Sequence, residues 1–179
     1  MVGAGPVGLA TALSLAAQGV DVRVVDDRPA RHATARASSI HARTLELLAP
    51  LGVADRISAY AQPIRRSVIF DAQGQEVFAR ELRAIDSPFP AHQNLQQWHT
   101  EWIIAEQLLA RGVQVQASTR FTGLAQQSDH VAVAVETSSG LETLRCRFLV
   151  GADGSRSTVR TACGTRLEGH DYPERWIAG

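Results

Sequence analysis

Lysine is absent from this chain: all 18 basic residues other than histidine are arginines. They are matched by 18 acidic residues, so the formal net charge is +0 at pH 7. With no excess of either sign, neither nucleic acid nor an acidic membrane is expected as a partner. Cysteine is scarce. Cys146 and Cys163 are the only two, with no C-x-x-C spacing. That excludes a disulfide framework and fits a reducing cytoplasm. No apolar run approaches the ~20 residues of a membrane span. The apolar stretch 7–17 lacks the basic segment that precedes a signal-peptide core. His41, His92 and His99 have no spacing that suits a metal. A last shortage is positional: only Met1 and Val2 stand ahead of the first glycine.

What is present suits a folded domain. The 179 residues are 45% hydrophobic and 20% charged, enough for a real core. The chain opens on MVGAGPVGLATALSLAAQG, in which Gly3, Gly5 and Gly8 spell G-x-G-x-x-G. In this pattern the first glycine permits a tight turn. The second lets backbone approach a pyrophosphate, and the third lets helix and strand pack closely. The helix that follows offers free N–H groups and a partial positive charge to phosphates.

Periodicity places a helix over 8–17, with Leu9, Ala12, Leu13 and Ala16 on one face and Gly19 as its stop. A strand is expected over 20–25, ending at Asp26 and Asp27. Asp26 has about the spacing of an acid that accepts hydrogen bonds from an adenosine ribose. Such a carboxylate would also repel a 2′-phosphate, which selects FAD or NAD over NADP. Strand alternation turns Asp27 elsewhere.

Further helices are expected over 38–49 and 54–61, and a hairpin over 67–78 that turns near Gln73-Gly74. Residues 85–94, with two prolines and no period, read as loop. A helix over 100–111 would be capped by Thr100 or His99 and stopped by Gly112. Short strands then follow over 113–117, 121–126, 130–137 and 141–148, with a turn at Ser138-Ser139-Gly140. Phe148-Leu149-Val150 runs into GADGSRSTVR, and a short helix spans 157–162. In that segment Asp153 could accept from a ribose or ribityl hydroxyl, and Gly154 lets the chain pass close to a phosphate. Arg43 and Glu46, three residues apart on a helix, suit an ion pair. Trp98 and Trp102 suit packing better than stacking on a flavin.

Four stretches occur in order: GAGPVGLATALSLAAQGVDVRVVDDRP, RASSIHARTLELLAPLGVADRI, QWHTE and FLVGADGSRSTVR. Together they resemble the flavoprotein monooxygenases of the para-hydroxybenzoate and phenol hydroxylase type. The last is the most specific and resembles that family's DG fingerprint. RTLELLAPLG points to the phenol-hydroxylase and polyketide-hydroxylase branch.

The resemblance implies an α/β, Rossmann-like FAD-binding domain of the glutathione-reductase type, with an added antiparallel β-meander and its first strand largely missing. It implies an incomplete FAD-binding domain over 1–164 and the start of a substrate-domain segment over 165–179, with a strand beginning at Trp176-Ile177. Gly3, Gly5, Val7 and Gly8 would surround the FAD pyrophosphate. Asp26 would take the ribose role with a shorter reach than the usual Glu, and Asp27 stands where an Arg is common. Arg36 matches an arginine that contacts the flavin nucleotide's phosphates. Gln97 matches a glutamine that hydrogen-bonds FAD, and Asp153 carries the DG role.

By the same resemblance the intact enzyme takes electrons from NADPH or NADH and uses O2 to hydroxylate a small aromatic substrate. The family's third fingerprint, a Gly-Asp motif, has no counterpart here, so the isolated chain is expected to be an incomplete enzyme. No residue stands out as a general base for a phenol. A missing central strand would leave unpaired edges that favour association, so a homo-oligomer stays open. Related flavoproteins (halogenases, epoxidases or reductases) are the alternative enzymes. A non-catalytic fragment that completes its sheet with another chain is the alternative of a different class.

Overall fold

Two residues ahead of a glycine are too few for a strand, yet they take a strand's place. In the computed structural model, which describes residues 1–29, 37–82, 86–170 and 172–173, Val2 pairs in parallel with Val25 on one side and Gly151 on the other. On the first side Val25 N–H donates to the Met1 carbonyl at 3.0 Å, and Gly3 N–H to the Val25 carbonyl at 2.8 Å. On the second, Val2 N–H donates to the Val150 carbonyl at 2.9 Å, and Ala152 N–H to the Val2 carbonyl at 2.7 Å. Every backbone group of Val2 is therefore used. Helix α1 (Pro6–Ala17) leaves the glycine loop, and strand β1 (Val24–Val25) returns beside Val2. A parallel partner, β7 (Val115–Gln116), flanks β1.

The expected strand over 20–25 is thus regular only at its end. The run Phe148-Leu149-Val150 forms no strand, and Phe148 is 78% exposed. Residues 20–23 and 147–150 belong to no strand and are not laddered to each other. Between them lies an apolar cleft of about 1280 Å³, lined by Met1, Leu15, Val22, Val133, Leu144 and Leu149 among others.

Two side-chain layers enclose this short sheet. On one face Val24 joins Leu9 and Leu13 of α1 and Ile103, Ile104 and Leu108 of helix α4 (Gln97–Leu109). On the other, Val2 and Val25 meet an antiparallel meander. That meander is β8 (Arg120–Gln126), β9 (Val131–Thr137) and β10 (Gly140–Cys146), in the order β10-β9-β8. Period-2 alternation puts Val131, Val133 and Val135 of β9 inward. Helix α5 (Thr158–Ala162) closes this layer through Val159. The α/β architecture with an added meander is as the sequence implied.

The middle of the chain differs more from expectation. The helix expected over 38–49 is strand β2 (Ser39–Ile40) followed by α2 (Ala42–Leu48). Helix α3 (Ala54–Tyr60) matches. The stretch read as loop contains strand β6 (His92–Asn94), which lies between β2 and β3 (Gln62–Ile64). Alternation cannot reveal a three-residue strand made of His, Gln and Asn. The expected hairpin is β4 (Arg66–Phe70) with β5 (Glu76–Glu81). It projects from the body, leaving Ile69, Phe70, Val77 and Phe78 more than half exposed. The strand expected at Trp176-Ile177 lies outside the described residues. Among them, no helix is long and apolar enough to cross a membrane.

The glycines of the loop divide by what surrounds them. A Cβ on Gly8 would lie 2.0 Å from the Gly3 carbonyl oxygen, while a Cβ on Gly5 would meet nothing within 4 Å. Gly8→Ala must push backbone aside, costing about 1–3 kcal/mol. At roughly 2–4 °C per kcal/mol in a chain of this size, Tm should fall by several degrees in a thermal melt. Gly5→Ala should leave Tm within the ~0.5 kcal/mol typical of a surface change.

Candidate functional site

The glycine loop sits where three segments meet: its own β-stub, the end of β1 and the GADG turn. Gly3, at φ +98°, packs so closely that an added Cβ would lie 2.4 Å from the Ala152 carbonyl oxygen. Gly3 and Gly8 are therefore used on the protein itself. Gly5 alone faces open space. It is also the residue that caps α1, with no side-chain cap and no acidic residue in the first turn. Pro at the first helical position removes one N–H that would have no partner. Beyond it Val7 is 71% exposed. The helix end thus presents unsatisfied N–H groups and its positive dipole end to an open surface.

Asp26 ends β1, with only 6% of its surface exposed. Its carboxylate accepts from Ala4 N–H in the glycine loop. It also accepts from Arg28, through the backbone N–H at 2.9 Å and the guanidinium Nε and Nη2 at 2.7 and 2.9 Å. Burial pushes its pKa up, but the Arg28 and Ala4 hydrogen bonds outweigh burial and hold it below the ordinary value. The sequence reading gave Arg28 no role. The available signal was an Asx turn: an aspartate accepting from the backbone N–H two residues on, at the bend that follows β1. Asp27 is exposed, as alternation implied.

Asp153 is also occupied by protein donors. One carboxylate oxygen accepts from Ser157 Oγ at 2.5 Å. The other accepts from the Thr158 N–H at 2.7 Å, its hydroxyl at 3.0 Å and the Val159 N–H at 3.1 Å. Ser157 in turn caps α5, its Oγ accepting from Arg160 N–H at 2.9 Å. Asp153 is in effect a second cap for that helix, a role not foreseen for it. Burial raises its pKa, and these hydrogen bonds outweigh the effect and lower it overall. Arg160 donates to the Ser155 carbonyl at 2.9 Å.

Gln97 lies in the first turn of α4, three residues before the expected helix start. Its N–H donates to the Ala37 carbonyl at 3.0 Å, and its Nε2 donates to Glu101 at 2.7 Å. The pairing of β2 with β6 thereby brings the RASS and QWHTE motifs together. Arg36 itself lies outside the described residues. Trp102 packs edge-on to Tyr60, with Arg56 5.7 Å over its ring, and Trp98 stacks on His99 at 3.5 Å. Arg43 and Glu46 form the expected ion pair at 2.9 Å.

The depressed carboxylate pKa values have a defined sign. Below about pH 4 the unfolded chain binds protons that the folded one resists at Asp26 and Asp153. Their contribution is complete at neutral pH and is lost as pH falls through the folded-state values. Tm should therefore drop on acidification below about pH 4. In Asp153→Asn, melts from pH 7 to 3 should start lower and show a shallower acid slope.

A family model described as FAD binding domain matches residues 1–178. The chain is 34% identical over 177 residues to a 6-methylpretetramide 4-monooxygenase from Streptomyces rimosus, covering 98% of this chain and 31% of the relative. It is 31% identical to a pentachlorophenol 4-monooxygenase from Sphingobium chlorophenolicum, covering 97% of this chain and 33% of the relative. Among solved structures, p-nitrophenol 4-monooxygenase from Pseudomonas putida superposes with a TM-score of 0.90 at 28% identity, over 96% of this chain and 44% of that one. The chain thus spans less than half the length of these relatives. By sequence match and by fold alike, it belongs to the FAD-binding domain family.

Proposed function

We propose that this chain is the FAD-binding portion of an NAD(P)H-dependent monooxygenase that hydroxylates an aromatic substrate of phenolic or polyketide-like character. The observation that carries the reading is the uncapped N-terminus of α1 with open space at Gly5. A diphosphate fits there for three reasons. No side chain caps the first-turn N–H groups, no acid lies in the first turn, and nothing lies within 4 Å of a Cβ built on Gly5. Gly5, Val7 and Gly8 would hold the pyrophosphate through backbone N–H groups, with Gly3 shaping the turn. Gln97 would orient a polar group of the nucleotide, its amide already aligned by Glu101.

FAD, when bound, would supply the redox chemistry with O2; the chain's part is binding, orientation and exclusion of water. None of the described side chains is assigned proton transfer at the substrate. The domain division at about residue 164, NADPH or NADH as donor, and a cytoplasmic setting belong to this same proposal. Support for the substrate class comes from the relatives, whose names include a pentachlorophenol 4-monooxygenase and a 6-methylpretetramide 4-monooxygenase.

Titration of FAD into the 179-residue chain, followed by flavin fluorescence, tests the binding reading. Saturable quenching is expected. Gly5→Trp should weaken it by more than about tenfold, over 1.4 kcal/mol, with little change in Tm because nothing lies within 4 Å of that position. Equal binding by both chains would refute the placement of the pyrophosphate.

A further inference from the structure

Gln97 is held at both its backbone and its side chain. Its N–H donates to the Ala37 carbonyl at 3.0 Å, where the pairing of β2 with β6 brings the two segments together. Glu101 lies four residues on along α4, on the same face of the helix. The Gln97 Nε2 donates to Glu101 Oε1 at 2.7 Å, and both side chains are half-buried. This contact fixes more than a position. An amide can turn over, exchanging its oxygen for its NH2, but a carboxylate only accepts. Glu101 therefore selects the NH2 and leaves Oε1 as the end open to a ligand. Among the described residues no donor reaches that oxygen.

The group that Gln97 meets must then be a donor. A diphosphate carries acceptors only, so the phosphates do not suit it. In FAD the donors nearest the diphosphate are the hydroxyls on either side of it, on the ribose and on the ribityl chain. The place is right for one of them. The Glu101 charge acts on Arg28, Arg28 is bonded to Asp26, and Asp26 accepts from Ala4 in the glycine loop. We propose that Glu101 is a positioning residue: it holds the Gln97 amide with Oε1 toward the nucleotide, so that Gln97 accepts from a ribose or ribityl hydroxyl of FAD. The inference rests on the FAD-binding reading with Gln97 in that site, and it names what Gln97 reads there.

The test is a double-mutant cycle on FAD binding, followed by flavin fluorescence, with wild type, Gln97→Ala, Glu101→Ala and the double variant. Each single change should weaken FAD by about threefold to tenfold, the worth of one hydrogen bond. The double variant should bind like Gln97→Ala, because Glu101 acts only through that amide. Losses that multiply, or either single variant binding FAD like wild type, overturn the proposal and leave the FAD site in place. ADP and 2′,3′-dideoxy-ADP, titrated calorimetrically into wild type and Gln97→Ala, identify the hydroxyl. A loss with FAD alone places it on the ribityl chain. A loss with ADP but not with its dideoxy form places it on the ribose. A loss with dideoxy-ADP puts Gln97 on the diphosphate or the base and overturns the proposal. If Glu101→Ala does not fold, Glu101→Gln takes its place in the cycle. Its amide accepts either orientation of Gln97, so FAD binding should fall by about twofold, and not at all when Gln97 is already alanine. Failure of the wild-type chain to bind FAD would overturn the FAD-binding reading together with this inference.

Discussion

The backbone of Val2 is the constraint on which the rest depends. The stub around it joins β1 to the segment that begins GADG: the Met1 carbonyl and Gly3 N–H bond Val25 on one side, and Val2 itself bonds Val150 and Ala152 on the other. It ties the glycine loop to Ala152, while the Ala4 N–H ties the loop to Asp26. Side-chain packing follows the same point. Val2 points into the meander layer with Val25, while Met1 packs on the helical layer. A single stub of extended chain therefore sets both the stacking of the layers and the convergence of two sequence motifs separated by more than a hundred residues.

Around that stub, polar groups are arranged to satisfy the protein first. Asp26 holds the loop and Arg28, and Asp153 holds the start of α5. Gly3 and Gly8 allow backbone segments to approach more closely than a Cβ would permit. The end of α1 has no side-chain cap, and Gly5 beside it faces open space. Residues that look alike in a motif are thus divided between shaping the site and facing the ligand. This is electrostatic preorganisation in its simplest form: donors are fixed in advance so that binding does not have to order them.

The parallel sheet shows what happens when pairing stops. Val24 and Val25 are buried and laddered, whereas Val20, a few residues earlier in an equally β-branched run, is 48% exposed. Val24 and Val25 ladder with Val115 and Gln116, whereas Val20 follows the end of α1, its N–H donating to the Leu15 carbonyl at 3.1 Å. β-Propensity expresses fit to a pleated, half-buried surface rather than an independent preference of the backbone.

The sequence by itself determined the glycine loop, helix α1, the meander with its Ser138-Ser139-Gly140 turn and the capped helix after GADG. Each is written in local spacing: glycines at fixed offsets and apolar residues at a period of 3.6 or 2. The tertiary structure alone decided that His92–Asn94 would be a central strand, because that strand is defined by its neighbours β2 and β3 and not by its own pattern. It also decided the roles of the acids. Asp26 and Asp153 were recognisable as candidates from their positions. Which donors would reach them depended on Ala4, Arg28, Ser157 and Val159 arriving at bonding distance. Periodicity records which face a residue occupies. It does not record how many hydrogen bonds that face will bring to a carboxylate, which is set only when the chain has closed around it.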